Sequence, residues 1–223
     1  MDYIEYDIIV TSLFAAWVVF VILYVSKRVY GLAIRKKLDE SSARYVSRKT
    51  IHILAAGVVA VLVPFVYKEA WTPFVLSLAL TAELILARRF KMMSWFQESS
   101  NFYEVNFTVM WGASILIGWL LDKNLWLGVL PAIYMSIGDG VTGITRALIS
   151  KKRHKGVEGS LAMLAAVLPF SLVLGYAGIT SSFVGTLAEK QKYIDDNIAV
   201  PLASLLTLIA FKLMFPQLLK SLI

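Results

Sequence analysis

The chain of 223 residues is 58% hydrophobic, carries a net charge of +7 and contains no cysteine. Soluble domains are usually about 45–50% apolar, and the excess here falls into blocks near the roughly 20 residues that a membrane-spanning helix needs. The absence of cysteine excludes disulfides, thiolate metal sites and a cysteine nucleophile, and two histidines are too few for a histidine metal cage. We therefore predict an all-α polytopic membrane protein in which residues 1–223 form one transmembrane domain.

The apolar blocks predict about eight transmembrane helices. They cover, in chain order, residues 8–26, 51–68, 71–87, 105–121, 125–149, 159–176, 178–190 and 198–216. The seventh helix is short, and Gly138-Asp139-Gly140 interrupts the fifth. Acidic residues precede the first block and no small-residue cleavage pattern follows it, so we interpret it as a retained helix rather than a signal peptide.

The basic residues concentrate on one side of this topology. Of the 22 Lys and Arg residues, 18 fall in or beside loops 27–50, 88–104, 150–158 and 190–197. Because such residues collect in cytoplasmic loops, this side is predicted to be cytoplasmic and the N-terminus to lie outside. The expected location is the plasma membrane of a prokaryote or an ER-type membrane. The first loop, 27–49, also mixes apolar and basic residues, which is typical of a helix lying on the headgroups or of a simple basic anchor.

Residues that could carry chemistry gather at this side, where unpaired charge within a span costs several kcal/mol. Arg48, Lys49 and His52 open the second helix, and the four-residue spacing of Arg48 and His52 places a cation and an imidazole on one face. They could bind phosphate or form a snorkelling anchor. Glu83 lies in the third helix, where a lone carboxylate needs a cation, a metal or a proton.

Two acidic elements follow. Gly138 and Gly140 flank Asp139, which could hold Mg²⁺ together with substrate phosphates or could be a hydrogen-bonded group in a small-residue packing site. Glu189 and the segment Asp195-Asp196-Asn197 interrupt the basic trend, so we expect them to have cationic partners. The alternative for this segment is a solvated turn in which Asp196 or Asn197 caps the last helix.

A basic segment leads into the sixth helix. It contains Lys151, Lys152, Arg153 and His154, followed by Lys155, Glu158, Gly159 and Ser160. A helix N-terminus beside a lysine is a natural phosphate site, although this spacing is not that of a Walker A loop. The alternative is a basic loop with a serine N-cap.

In order along the chain, these elements resemble the CTP-dependent polyprenol kinases, which include dolichol kinase, phytol kinase and the yeast-type diacylglycerol kinase that uses CTP. The matching elements are Arg-Lys-x-x-His at 48–52, Gly-Asp-Gly at 138–140, Lys-x-x-Glu-Gly-Ser at 155–160, and Glu189 followed by Asp-Asn-x-x-x-Pro at 196–201. The resemblance spans residues 48–201, most of the chain. Two positions depart from the family pattern, because Gly156 stands where Ser or Thr is expected and Thr142 replaces a small apolar residue.

The resemblance implies a transmembrane catalytic domain that transfers the γ-phosphate of CTP to a polyprenol such as dolichol, with Mg²⁺ or another divalent cation. It implies that Asp139, Asp196 and Glu189 bind the metal or activate the hydroxyl. It assigns nucleotide or phosphate contacts to a second set, Arg48, Lys49, His52, Lys155, Glu158, Gly159, Ser160 and Asn197. Asp195 and Glu83 are further candidates from their positions. The implied partners are the lipid alcohol, the nucleotide and membrane lipids, without nucleic acid, and an oligomer is compatible with the sequence.

Two other functions stay open. A CTP:phosphatidate cytidylyltransferase has distantly similar Asp and Lys-x-x-Glu-Gly elements, and it would release pyrophosphate where a kinase releases CDP. A small-solute transporter with a broken fifth helix is the non-enzymatic alternative, although no convincing repeat relates the two halves of the chain. The sequence leaves open which lipid alcohol would be the acceptor.

Overall fold

The computed structural model describes residues 3–98, 100–149 and 155–222, and within these ranges the chain is helical and has no β-strand. Seven helical stretches of the described chain are long and apolar enough to cross a membrane. The first five in chain order are single helices: α1 (Glu5–Arg35), α2 (Glu40–Val66), α3 (Trp71–Arg89), α4 (Tyr103–Asp122) and α5 (Leu125–Ala147). The last is α8 (Asp196–Met214). The prediction of an all-α polytopic membrane protein is confirmed.

The remaining stretch, Val157–Lys190, is a hairpin of two helices. A 3₁₀ turn at Leu172–Leu174 separates α6 (Val157–Ser171) from α7 (Gly175–Lys190), and Gly175, the first residue of α7, has a positive φ of 57°. The Lys155 Nζ atom, just before α6, donates to the carbonyl oxygens of Glu189 and Gln191 at the end of α7, at 2.6 and 2.5 Å. The two helices are therefore antiparallel, and the start of α6 lies beside the end of α7. The sequence predicted such a pair of helices, with a boundary near residue 177.

The first loop differs from the expectation of a separate helix on the headgroups. The helix α1 continues unbroken to Arg35 and α2 begins at Glu40, so residues 36–39 alone form the turn between them. Asp39 caps α2 by accepting a hydrogen bond from the Ser42 amide at 3.0 Å. At about 1.5 Å per residue, the 31 residues of α1 reach about 46 Å, well beyond the about 30 Å of a hydrocarbon core. The extra turns of α1 pack against the first turns of α2.

The central helix is α5, and most of its residues are buried. Its ring of Tyr134 is fully buried, and the Tyr134 hydroxyl is hydrogen-bonded to the Ser171 hydroxyl at 2.9 Å and to the Gly178 carbonyl at 3.0 Å, which fixes α5 against the hairpin. Near the other end of α5, Gly128 lies against the backbone of α4, where a Cβ atom would overlap Ser114 and Ile115. Because other helices surround α5, it carries Asp139 into a protein environment rather than into lipid.

Polar contacts lie at both ends of the helix bundle. We call the end formed by residues 36–39, 90–98, 100–102, 155–156 and 191–195 the basic end. At the opposite end, Lys212 is paired with Asp122 at 2.5 Å, and the Thr11 and Tyr67 hydroxyls are 2.8 Å apart. The candidate site residues lie toward the basic end. This agrees with the predicted topology, in which successive helices run in opposite directions through the membrane.

The hairpin gives a labelling pattern that can be tested in a chain without cysteine. Lys36, Glu69 and Tyr193 are exposed in loops, and Lys36 and Tyr193 lie at the basic end. In sealed vesicles, we expect a membrane-impermeant maleimide to label Lys36→Cys and Tyr193→Cys from one side and Glu69→Cys from the other. If Val157–Lys190 crossed the membrane once, Tyr193→Cys would be labelled together with Glu69→Cys, and the hairpin would be wrong.

Candidate functional site

Two π-helical turns bring the site residues of α2 and α5 together. They cover His52–Gly57 in α2 and Tyr134–Gly138 in α5, and they pack against each other. Such turns contain an extra residue and occur frequently at functional sites. At Gly57, a Cβ atom would overlap the side chain of Ile137, so glycine permits the close approach of the two helices. As a result, His52 and the preceding turn of α2 face Asp139.

The first buried pair joins Lys49 to Asp139. The Lys49 Nζ atom donates to Asp139 Oδ2 at 2.5 Å, and His52 Nδ1 lies 3.4 Å from the same oxygen. All three residues are buried, and the imidazole of His52 stacks on Phe107 with 4.0 Å between ring centroids. In the described part of the chain, neither nitrogen of His52 completes a hydrogen bond. Lys49 thus supplies the positive charge that a carboxylate needs at a buried position.

The second buried pair joins Arg146 to Glu189. The sequence patterns did not predict this pair. Arg146 donates from Nη1 and Nη2 to the two carboxylate oxygens of Glu189 at 2.7 and 3.0 Å, and Glu189 is 0% exposed. In the sequence, Arg146 is one of the 18 basic residues in or beside the loops, at the end of the fifth predicted helix, and has no predicted partner. Its spacing of seven residues from Asp139 is the signal that could have identified it, since residues two helical turns apart share a face.

The third pair joins Lys155 to Asp196 at 2.7 Å. The same ammonium group donates to the two backbone carbonyls at the end of α7, so its three donors all have protein acceptors. Lys155 therefore connects the start of α6, the end of α7 and the start of α8. This half-buried pair is the most accessible of the three, because Asp196 and Lys155 are exposed by 26% and 20% of their side-chain surface.

The three carboxylates form one acidic cluster. One oxygen from each of Asp139, Glu189 and Asp196 can be chosen so that all lie within 4.8 Å of one another. Opposite oxygen ligands of an octahedral Mg²⁺ are about 4.2 Å apart. Small movements of the three side chains would therefore bring their oxygens to distances at which they could bind that ion. Each carboxylate also has its own cation, Lys49, Arg146 or Lys155, and the site therefore interleaves acids and bases.

Arg48 and Asn197 both contact Tyr103, at the start of α4. The Arg48 guanidinium lies 4.9 Å from the ring centroid of Tyr103, and its Nη1 atom is buried without a hydrogen-bond partner among the described residues. Asn197 donates to the Tyr103 carbonyl at 3.2 Å, while its own Oδ1 atom is buried and has no partner in the described ranges. Both side chains thus retain polar capacity that a ligand could use.

Asp195 is the N-cap residue of α8. It caps α8 by accepting from the Asn197 amide at 3.0 Å, and it accepts from the Asn106 side chain at 2.7 Å. The interpretation that Asp196 or Asn197 is the N-cap is therefore wrong, and Asp196 is left available for Lys155.

In the Glu-Gly-Ser element of α6, the glycine has a packing role and the serine has a hydroxyl that could bind a ligand. Gly159 lies against Arg146, where a Cβ atom would overlap the guanidinium, and its carbonyl accepts from Thr142 at 3.1 Å. The Ser160 hydroxyl is buried and has no hydrogen-bond partner in the part of the chain described. Ser160 is not the N-cap, because the cap position belongs to Gly156. Glu158 lies in the first turn of α6.

Other predicted residues lie elsewhere. Glu83 is exposed on α3 and lines an apolar cavity rather than the acidic cluster. The basic residues Lys151, Lys152, Arg153 and His154 lie outside the described residues. No protein-family model, curated protein or solved structure matches the chain.

The pair of Arg146 and Glu189 predicts a stability pattern. Arg146→Met leaves the Glu189 carboxylate buried without its partner, and we expect a loss of about 3–5 kcal/mol in the free energy of unfolding. The double variant Arg146→Met/Glu189→Met replaces the pair by apolar side chains and should recover most of that loss. The measurement is thermal unfolding of the purified protein in detergent, with the exposed Arg89→Met as a control for the same substitution. A double variant as unstable as Arg146→Met alone would contradict this account.

Proposed function

We propose that the protein is a CTP-dependent lipid alcohol kinase that phosphorylates a polyprenol such as dolichol at the cytoplasmic face of a membrane. The observation that supports this most strongly is the set of three carboxylates paired with three cations at the basic end. A magnesium-bound triphosphate needs both kinds of group, because carboxylates bind the metal and cations bind phosphate oxygens. All of these residues except Arg146 also belong to the elements that resemble the polyprenol kinase motifs, and they occur in the same order along the chain.

The internal ion pairs suggest an exchange of partners on nucleotide binding. Asp139, Glu189 and Asp196 would hold Mg²⁺, which when bound would neutralise charge on the transferred phosphate. Lys49, Arg146 and Lys155 would then turn to the phosphate oxygens. Each cation already lies within 3 Å of the carboxylate that it would leave, so the exchange needs side-chain movement rather than helix movement.

The transfer itself needs a proton acceptor near the lipid. The oxygen of the alcohol bonds to the γ-phosphorus, its proton leaves, and the bond between that phosphorus and the CDP oxygen breaks. Asp139 would accept this proton, since its neighbour His52 lines an apolar cavity beside the cluster. Glu189 is less suited to this task because neither Glu189 nor its partner Arg146 lines that cavity.

The decisive assay incubates purified protein with γ-labelled CTP, ATP or GTP and a panel of lipid alcohols. We expect labelled lipid phosphate and free CDP, and we expect Asp139→Asn to lower kcat by about 100-fold or more. Asp122→Asn is the matched control, because Asp122 also pairs with a lysine at 2.5 Å but lies at the opposite end. It should retain wild-type activity.

Three results would contradict the proposal. A folded Asp139→Asn protein with full activity would remove Asp139 from the reaction. Release of pyrophosphate with formation of a cytidylylated lipid would indicate a cytidylyltransferase. Solute uptake into proteoliposomes without turnover of CTP would indicate a transporter.

Removal of divalent cations tests the acidic cluster. We expect EDTA to abolish lipid phosphorylation and Mg²⁺ to restore it, because the carboxylates alone repel the triphosphate. Mg²⁺ without nucleotide should also raise the unfolding temperature of the wild type and have a smaller effect on Asp196→Asn. Equal stabilisation of the two proteins would argue against Asp196 as a ligand.

A further inference from the structure

An apolar cavity of about 230 Å³ lies beside the candidate site, between α1, α2, α3 and α4. Phe14 and Val18 of α1, Ala55 of α2, Leu80 of α3 and Trp111 of α4 contribute to its wall. These residues belong to the membrane-spanning parts of their helices. The cavity therefore lies at a depth where hydrocarbon chains are the surrounding solvent.

Four residues that line the cavity are exposed, Ala15 and Val19 of α1 and Ala79 and Glu83 of α3. Their exposure points to an opening between these two helices. Toward the basic end the same two helices are brought together by Phe96, which packs with residues of α1 and α3 and is 2% exposed. Trp95 fixes this segment to α1 by donating to the Ser26 hydroxyl at 2.9 Å. The opening of the cavity thus faces the lipid, and Trp95 and Phe96 cover the end of the cavity that is nearest the loops of the basic end.

The inner end of the cavity is polar. Arg48, His52 and Glu104 line it and are no more than 5% exposed. Arg48 Nη1, His52 Nε2 and Glu104 Oε2 are buried without hydrogen-bond partners in the described chain. The other oxygen of Glu104 accepts from Arg88 at 2.8 Å. Unsatisfied buried groups are rare in proteins, and here they combine donors and acceptors within one cavity.

We propose that this cavity binds the hydroxyl-bearing end of the lipid acceptor, which reaches it from the bilayer between α1 and α3. This inference rests on the proposed function. A hydroxyl group both donates and accepts hydrogen bonds, so it can accept from Arg48 and donate to Glu104 or His52. When the acceptor enters the cavity, its hydrocarbon chain exchanges contacts with bilayer lipids for contacts with apolar side chains. The chain therefore stays in an apolar environment. Since His52 Nδ1 is 3.4 Å from Asp139, a hydroxyl at this end lies next to the acidic cluster.

Glu104 adds a hydrogen-bond acceptor to this end of the cavity. One of its oxygens accepts from Arg88, and its Oε2 atom has no partner among the described residues, so it is left to accept the proton of a bound hydroxyl. Glu104 is therefore inferred to be a binding residue for the alcohol, and no sequence motif pointed to it.

A photolabelling experiment tests the cavity without using the kinase reaction. Purified protein in lipid nanodiscs is irradiated with a diazirine-bearing long-chain alcohol in the absence of nucleotide, and mass spectrometry maps the labelled residues. We expect labelling of the cavity faces of α1 and α3. Excess unlabelled alcohol should remove it, whereas the methyl ether of that alcohol, which cannot donate, should compete about tenfold more weakly. Stronger competition by phosphatidate than by the alcohol would overturn the assignment of a hydroxyl ligand.

A matched pair of variants separates the cavity from the rest of α3. Ala79→Phe narrows the opening at an exposed position, and Ala82→Phe makes the same change three residues away at an exposed position that does not line the cavity. Ala79→Phe should lose most of the photolabel and raise the KM for the lipid about tenfold, with the KM for CTP unchanged. Ala82→Phe should match the wild type in both assays.

The two assays fail in different ways. If the wild type lacks kinase activity but Ala79→Phe alone loses the photolabel, the cavity proposal stands and the proposed function is wrong. If the kinase is active and Ala79→Phe retains the wild-type photolabel and lipid KM, the cavity proposal is wrong and the function stands.

Discussion

The cost of burying charge is the constraint on which the basic end of this structure depends. An ion that is removed from water without a partner destabilises a protein by several kcal/mol, and in a membrane the surrounding lipid offers no compensation. Here each buried carboxylate of the acidic cluster has a cation from another part of the chain. The three pairs connect α2 to α5, α5 to α7, and the start of α6 to α8. Because helices in lipid lack a hydrophobic force that drives them together, such pairs also contribute to the arrangement of the bundle.

The small residues around Asp139 show that packing and chemistry are not alternatives here. The sequence left open whether this Gly-Asp-Gly element was a packing site or a ligand site. In the structure, Gly140 lies against Ile53 of α2 so closely that a Cβ atom would overlap it, and Asp139 meets Lys49 of the same helix. The close approach of the two backbones is what brings the short carboxylate within reach of the lysine.

Hydropathy and charge were enough to predict the fold class, most of the helices and the gathering of the acids at one end, because these depend on composition along the chain. The partners of the acids were harder to predict. Arg146 reaches Glu189 across 43 residues, and Glu104 enters the cavity through the packing of α4 against α3. Such contacts depend on the rotation of each helix about its axis, which tertiary packing decides. The extension of α2 beyond its apolar block was missed for the same reason, since its first turns are held by contact with α1.

The hairpin has a further consequence for the depth of the site. The arms α6 and α7 contain 15 and 16 residues, so at about 1.5 Å per residue they reach only about 24 Å, less than the about 30 Å of a typical hydrocarbon core. A bilayer meets such a mismatch by becoming locally thinner. Glu189, at the end of α7, would then lie in a depression of the membrane surface, bordered on the other side by the long helices α1 and α2. In such a depression the nucleotide of the proposed reaction would descend to the level of the lipid, and the lipid would not have to be lifted into water.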